Sequence, residues 1–208
     1  GVILWKGENL AASFEGAVEG CRRAQSDFGI RSAWIFDAVR QFGTEKAETV
    51  VKEAAKLQDH GVVAFGLGGD ENAGPPEIFE RVFAMARSEG LGLTAHAGET
   101  AGPESIWKTV KMLKAHRIGH CLTAYQDPAL VEYLSVNAIP VEVCVTSNLK
   151  TGGVSNPESH PLRHYFERGI PVSINTDDPA LFGTSLNNEY SIAKTVFIST
   201  CCPLPVAL

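Results

Sequence analysis

The chain has no apolar run long enough to cross a bilayer, which takes about 18 residues in succession. No basic n-region followed by an apolar h-region opens it, so no secretory leader is expected. None of its five cysteines (Cys21, Cys121, Cys144, Cys201 and Cys202) forms a CxxC pair, which argues against a cysteine-based zinc site. Their odd number and irregular spacing fit free thiols in a reducing compartment better than a disulfide framework, so the expected location is the cytoplasm. Basic residues are in deficit. Lys plus Arg total 18 against 24 Asp plus Glu, a formal net charge of -6. That balance argues against nucleic acid or an anionic membrane as the main partner. No Gly/Ser linker or low-complexity stretch marks a boundary, so residues 1–208 read as a single domain. A chain of 208 residues holds one sizeable core, or a large piece of a bigger domain.

What is present is an alternation. "ENLAASFEGAVEGCRRAQSDFG" carries apolar residues at Leu10, Phe14, Val18, Cys21 and Ala24, a helical period that ends at Gly29. "SAWIFDAV" follows as a strand, and a helix from Thr44 with Val50, Val51 and Ala54 on one face stops at Gly61. The strands "VVAFGLGGD", "LGLTAH", "RIGHC", "IPVEVCVTSN" and "IPVSINTDD" then alternate with helical stretches such as "PPEIFERVFAMARSEG", "PESIWKTVKMLKAH" and "HPLRHYFERG". Asp127-Pro128 reads as an N-cap with proline at N1. About six strand–helix units result, with short strands that read as buried on both faces. This pattern predicts a parallel α/β sheet, open or closed. Polar residues recur where strands end: Asp37, Asp70-Glu71, His96-Glu99, His120, Ser147-Asn148 and Asp177-Asp178. Chemistry spread over many strand ends is the habit of a (β/α)8 TIM-type barrel, whose full form has eight units in about 250 residues. Roughly two units are missing.

"GLTAHAGET", from Gly92 to Thr100, sets an imidazole and a carboxylate at the end of one apolar strand. His96 reads as a core histidine bonded to backbone or as a metal ligand. Glu99 three positions on favours the second, because a carboxylate there can act as acid or base toward whatever a metal polarises. His120 ends the next strand. In "SINTDDP" the adjacent Asp177 and Asp178 read as a capping loop or as a carboxylate pair. Like charges so close raise each other's pKa unless something positive lies between them. A divalent metal would relieve one and leave the other to orient a water. "GLGGDE" is not a G-x-G-x-x-G fingerprint, and its glycines suit a tight turn or a close backbone approach to a ligand. His60, His116 and His164 read as surface residues, Trp107 as core packing and "EKAETVVKE" as a solvated helix face.

In this order on successive strands, "TAHAGE", "RIGH" and "NTDDP" resemble the adenosine deaminase family of amidohydrolase barrels, and "GLGGDE", "CVTSN" and "GTSLNNEY" fit the same pattern. The resemblance covers about residues 29 to 193. It implies hydrolytic deamination of adenosine to inosine and ammonia, in which zinc activates a water that attacks C6 of the purine. Residue by residue it implies His96 and Asp177 as zinc ligands and Glu99 as the proton donor to purine N1. It implies His120 as the group that orients and deprotonates the water. Asp178 would hold the water and the N7 edge, and the Gly69 amide would meet N3. Ala97 and Gly98 would leave room for a flat ring. The implied partner is a small purine nucleoside; oligomeric state is not implied.

The sequence departs from the family in four places. No His-x-His pair occurs, although the family completes its zinc site with one on the first strand. Cys121 stands where glycine is usual and Val145 where proline is common, and "STCCPLPVAL" does not resemble the acidic helix that normally follows. The expectation is the C-terminal portion of a metal-dependent deaminase barrel, incomplete at the N-terminus and inactive as it stands. The competing expectations are an aminodeoxyfutalosine deaminase, an adenine deaminase, and a non-catalytic truncated barrel that binds purines.

Overall fold

The computed structural model describes residues 2–194. The ending "STCCPLPVAL", with Cys201 and Cys202, lies outside the described residues. By its contacts the chain divides into two units, Gly1–His96 with Lys108–His116 and Ala97–Trp107 with Arg117–Leu208.

The first unit opens with α1 (Val2–Trp5) and α2 (Leu10–Phe28). Asn9 caps α2 by accepting from the Ala12 amide, and Gly29 ends it in the left-handed region, as its sequence predicts. Next come β1 (Trp34–Val39), α3 (Gly43–Lys56) and β2 (Val62–Gly68). A single 3-10 turn at Gln58–His60 separates the end of α3 from the left-handed Gly61. After a 3-10 turn at Pro76–Phe79 follow α4 (Glu80–Ser88) and β3 (Gly92–Ala97), the last strand of the unit. All pairing is parallel. Asp37 stands against Gly66, and Phe65 against Leu93. A Cβ on Gly66 would fall 1.6 Å from the Asp37 carboxylate, so that glycine leaves the space the acid occupies. Val50, Val51 and Ala54 of α3 pack with Phe65, Leu67, Phe79 and Phe83 in one apolar core. Phe14 joins it edge-on to Phe36, with ring centres 5.2 Å apart. Strand β1 differs from expectation. It alternates, with Ile35 exposed and Ala38 buried, so only one of its faces packs inward.

The second unit takes in α5 (Pro103–Lys108) up to Trp107, then β4 (Arg117–His120), α6 (Pro128–Val136) and β5 (Val141–Val143). It continues through α7 (Val145–Lys150), α8 (Leu162–Glu167), β6 (Val172–Ile174), α9 (Pro179–Phe182) and α10 (Leu186–Ile192). Strands β4, β5 and β6 are parallel, with Ile118 beside Val141 and Val141 beside Val172. Asp127 caps α6 as expected, accepting from the Ala129 and Leu130 amides. Its other oxygen accepts from Trp107 Nε1 at 2.8 Å, so Trp107 is a hydrogen-bonding residue as well as a packing one. That bond and the two amides hold the Asp127 carboxyl below its ordinary range. The expected strand "IPVEVCVTSN" is corrected. Only Val141–Val143 is strand, and Val145 begins α7. No helix among the described residues is long and apolar enough to cross a membrane.

Candidate active site

In the first unit, the sequence-predicted Gly69 and His96 stand at the ends of β2 and β3. Gly69 has φ +93°, and a Cβ there would lie 2.4 Å from Gln41 Oε1 and 3.1 Å from a Val39 methyl. Glycine is therefore required at this turn for backbone reasons. The same Gln41 oxygen accepts from the Asp70 amide at 3.1 Å. The half-buried His96 ring lies over Gly68, where a Cβ would be 3.5 Å from Cε1. Sequence reasoning missed Arg40, which is 1% exposed just beyond β1. Its guanidinium donates to the His96 carbonyl at 2.7 Å and the Gly74 carbonyl at 2.5 Å. One side chain thus ties the end of β3 to the glycine turn. Burial holds the Arg40 guanidinium below its ordinary value, against the opposing pull of buried Glu71. The available signal was a cation directly after an apolar strand.

In the second unit, Glu99, His120 and Asp177 converge. His120 is 3% exposed, and its Nε2 lies 3.5 Å from Glu99 Oε2 and 3.9 Å from Asp177 Oδ2. Ser147 Oγ donates to Asp177 Oδ2 at 2.7 Å. Asn148, fully buried, contacts His120 Nδ1 at 3.2 Å and Glu99 Oε1 at 3.4 Å through Nδ2. Its Oδ1 faces His160 Nε2 at 3.2 Å. Sequence reasoning noted Ser147 and Asn148 as strand-end polar residues and overlooked His160 altogether. Asp178 follows Asp177 directly in the chain. It is exposed, precedes α9, and makes no side-chain cap bond there, so capping does not account for it.

The backbone here is unusual. His120, Cys121 and Asp177 have φ of 60°, 53° and 55°, a region non-glycine residues seldom occupy outside constrained sites. The positive φ explains why glycine suits position 121. The turn is clamped by buried Tyr165, whose hydroxyl donates to the Cys121 carbonyl at 2.6 Å and accepts from the Tyr125 amide at 3.2 Å. Gly98, at φ +71°, has a packing reason to be glycine. A Cβ would meet Ile106 at 2.3 Å and Thr123 Oγ1 at 2.8 Å, so its missing side chain makes room for these neighbours. Helix α7 is anchored by buried Glu189, which accepts from the Thr146 amide at 3.2 Å and from Thr184 Oγ1 at 2.6 Å.

The donor chemistry suits a metal of zinc's kind. His120, Cys144 and Asp177 each present one ligand atom, all within 4.8 Å of one another. Imidazole, thiol and carboxylate are zinc's usual donors. Burial, reinforced by the charges of Asp177, Glu142 and Glu189, pushes the Cys144 thiol up to about 12. A thiol raised this far is a poor donor beside the Asp177 carboxylate. Cys21, Cys121 and Cys144 are all free thiols.

A family model described as adenosine deaminase matches residues 7–200. An aminodeoxyfutalosine deaminase of Streptomyces avermitilis is 44% identical over 184 residues, 87% of this chain and 51% of that protein. An adenosine deaminase of Vibrio cholerae is 42% identical over 179 residues, covering 86% and 53%. The chain thus spans about half the length of the curated relatives it matches. The crystal structure of an amidohydrolase from Burkholderia ambifaria with bound zinc superposes with a TM-score of 0.85 at 26% identity, over 96% of this chain and 56% of that one. The fold class is α/β, a (β/α)8 barrel type, with six strand–helix units among the described residues. The alternating strands, the strand-end acids and imidazoles, and the match over residues 7–200 place the chain in the adenosine deaminase family, whose members are metal-dependent hydrolases acting on purines.

Proposed function

We propose that the chain serves the hydrolytic deamination of a 6-aminopurine nucleoside, adenosine first. One water adds its oxygen to C6 as the C6–N bond breaks, giving inosine and ammonia. The observation that carries this reading is the buried His120 imidazole flanked by the Glu99 and Asp177 carboxylates. Glu99 delivers a proton to purine N1, which makes C6 electrophilic. His120 orients the attacking water, Asp178 holds that water and the N7 edge, and the Gly69 amide meets N3. By the family's pattern His96 and Asp177 would hold the zinc ion, and the donor atoms of His120 and Cys144 gathered beside Asp177 support the part of Asp177 in it. When bound, zinc supplies the Lewis acidity that makes water a usable nucleophile near neutral pH.

A second substrate has a specific observation behind it. The Streptomyces relative that deaminates aminodeoxyfutalosine is 44% identical, against 42% for the Vibrio adenosine deaminase. Both substrates carry the same adenine head, and the site residues named above do not separate them. The test is Glu99→Gln in the longest native polypeptide containing this chain, assayed on both substrates. Removing a group that acts mainly in the transition state should abolish turnover while binding persists. Retention of wild-type kcat would refute the proton-donor role.

A further inference from the structure

The hydrogen bonds behind His120 have one direction, and it starts from a group with no choice. The Leu162 backbone amide can only donate, and it donates to His160 Nδ1 at 3.1 Å. That nitrogen therefore carries a lone pair. His160 is 3% exposed, and burial brings its pKa down to about 4. The ring is neutral near pH 7, and its one proton sits on Nε2. Nε2 then donates to Asn148 Oδ1 at 3.2 Å, which fixes which way the fully buried amide points. The Asn148 Nδ2 protons are left for His120 Nδ1 at 3.2 Å and Glu99 Oε1 at 3.4 Å. His120 Nδ1 must accept.

We propose that Asn148 and His160 are positioning residues that lock neutral His120 with its proton on Nε2, turned toward Glu99 and Asp177. The ring then offers a proton where the two carboxylates converge, and it can take a second one only at Nδ1, by giving up the bond from Asn148. This makes His120 a hydrogen-bond donor that orients, and sets aside the water-deprotonating role implied by the family resemblance. The inference rests on the proposed deamination for its catalytic meaning, but the tautomer itself does not depend on it.

The test is nitrogen-15 NMR of the histidine rings in the longest native polypeptide containing this chain, with zinc present. The His120 signals are assigned from their loss in His120→Gln. The expected wild-type signature is an unprotonated Nδ1 and a protonated Nε2. In Asn148→Asp the carboxylate can only accept, so His120 Nδ1 should become protonated and kcat should fall at least about tenfold, the effect of losing one oriented polar contact. His160→Gln keeps a donor toward Asn148 and should retain the wild-type signature and rate. His160→Leu lacks the donor and should lose both. Thermal melts separate these effects from unfolding. An unprotonated Nδ1 in folded Asn148→Asp, or equal behaviour of the Gln and Leu variants at position 160, would overturn the proposal. If the wild type shows the expected tautomer but deaminates no 6-aminopurine, the functional reading fails and the hydrogen-bond chain stands.

Discussion

Gly98→Ala measures how tightly the backbone beneath Glu99 is held. Two costs can be worked from the geometry. Gly98 sits at φ +71°, where an L side chain costs about 1–2 kcal/mol. The new methyl would also meet Ile106 Cδ1 at 2.3 Å and Cγ1 at 2.6 Å. Ile106 is fully buried and cannot swing into solvent, so overpacking adds about 1–3 kcal/mol. The sum, about 2–5 kcal/mol, is a large share of the 5–15 kcal/mol or so that holds a typical domain together. Urea unfolding of the longest native polypeptide reads it directly. The clash is separable from the backbone strain. Ile106→Ala alone should cost about 2–5 kcal/mol by leaving a cavity. In the double variant the alanine methyl enters that cavity, so the combined cost should fall short of the sum by about 1–3 kcal/mol. Additive costs, or a single Gly98→Ala variant within about 0.5 kcal/mol of wild type, would refute the packing account of this glycine.

Two further outcomes follow from the second unit. His160 titrates at about 4 in the folded chain against an ordinary 6.5, so between those values the unfolded chain binds a proton that the folded chain does not. Its contribution is complete above pH 6.5 and is lost as pH falls toward 4. The loss is about 3 kcal/mol over that window. Urea midpoints at its two ends should show this slope in the wild type and its absence in His160→Gln; parallel slopes would contradict it. Asp177→Ala should lower zinc content, whereas Asp178→Ala should keep zinc and lose rate. Elemental analysis of the two folded variants decides, and equal zinc loss would sink that division of roles.

The strand–helix alternation was legible because it is written in local signals: apolar periods, glycines that stop helices, and the Asp127-Pro128 cap. Helix α7 was not. Val145 and Thr146 favour strands by propensity, and no side chain caps the helix at Cys144. The Thr146 amide is satisfied instead by Glu189, 43 positions further on, a partner no local window contains. The same reason separates the site residues that could be read from those that could not. Glu99, His120 and Asp177 stand in short motifs at strand ends. His160 and Arg40 carry no motif, and their roles come from partners at a distance. Arg40 holds carbonyls 34 and 56 positions away, and His160 reaches His120 through the Asn148 amide. The glycines show the converse. Gly69 and Gly98 were noticed for ligand access, and the space each leaves is filled by Gln41 or by Ile106 and Thr123.

The central claim, hydrolytic deamination of a purine, is tested most directly by isotope. The longest native polypeptide containing this chain, supplied with zinc, is incubated with adenosine in water enriched in oxygen-18, and the products are read by mass spectrometry with ammonia measured alongside. The account predicts inosine carrying one solvent-derived oxygen at C6, with one ammonia released per inosine and none formed by Glu99→Gln. Unchanged adenosine, with aminodeoxyfutalosine and adenine equally untouched by folded, zinc-loaded protein, would contradict it.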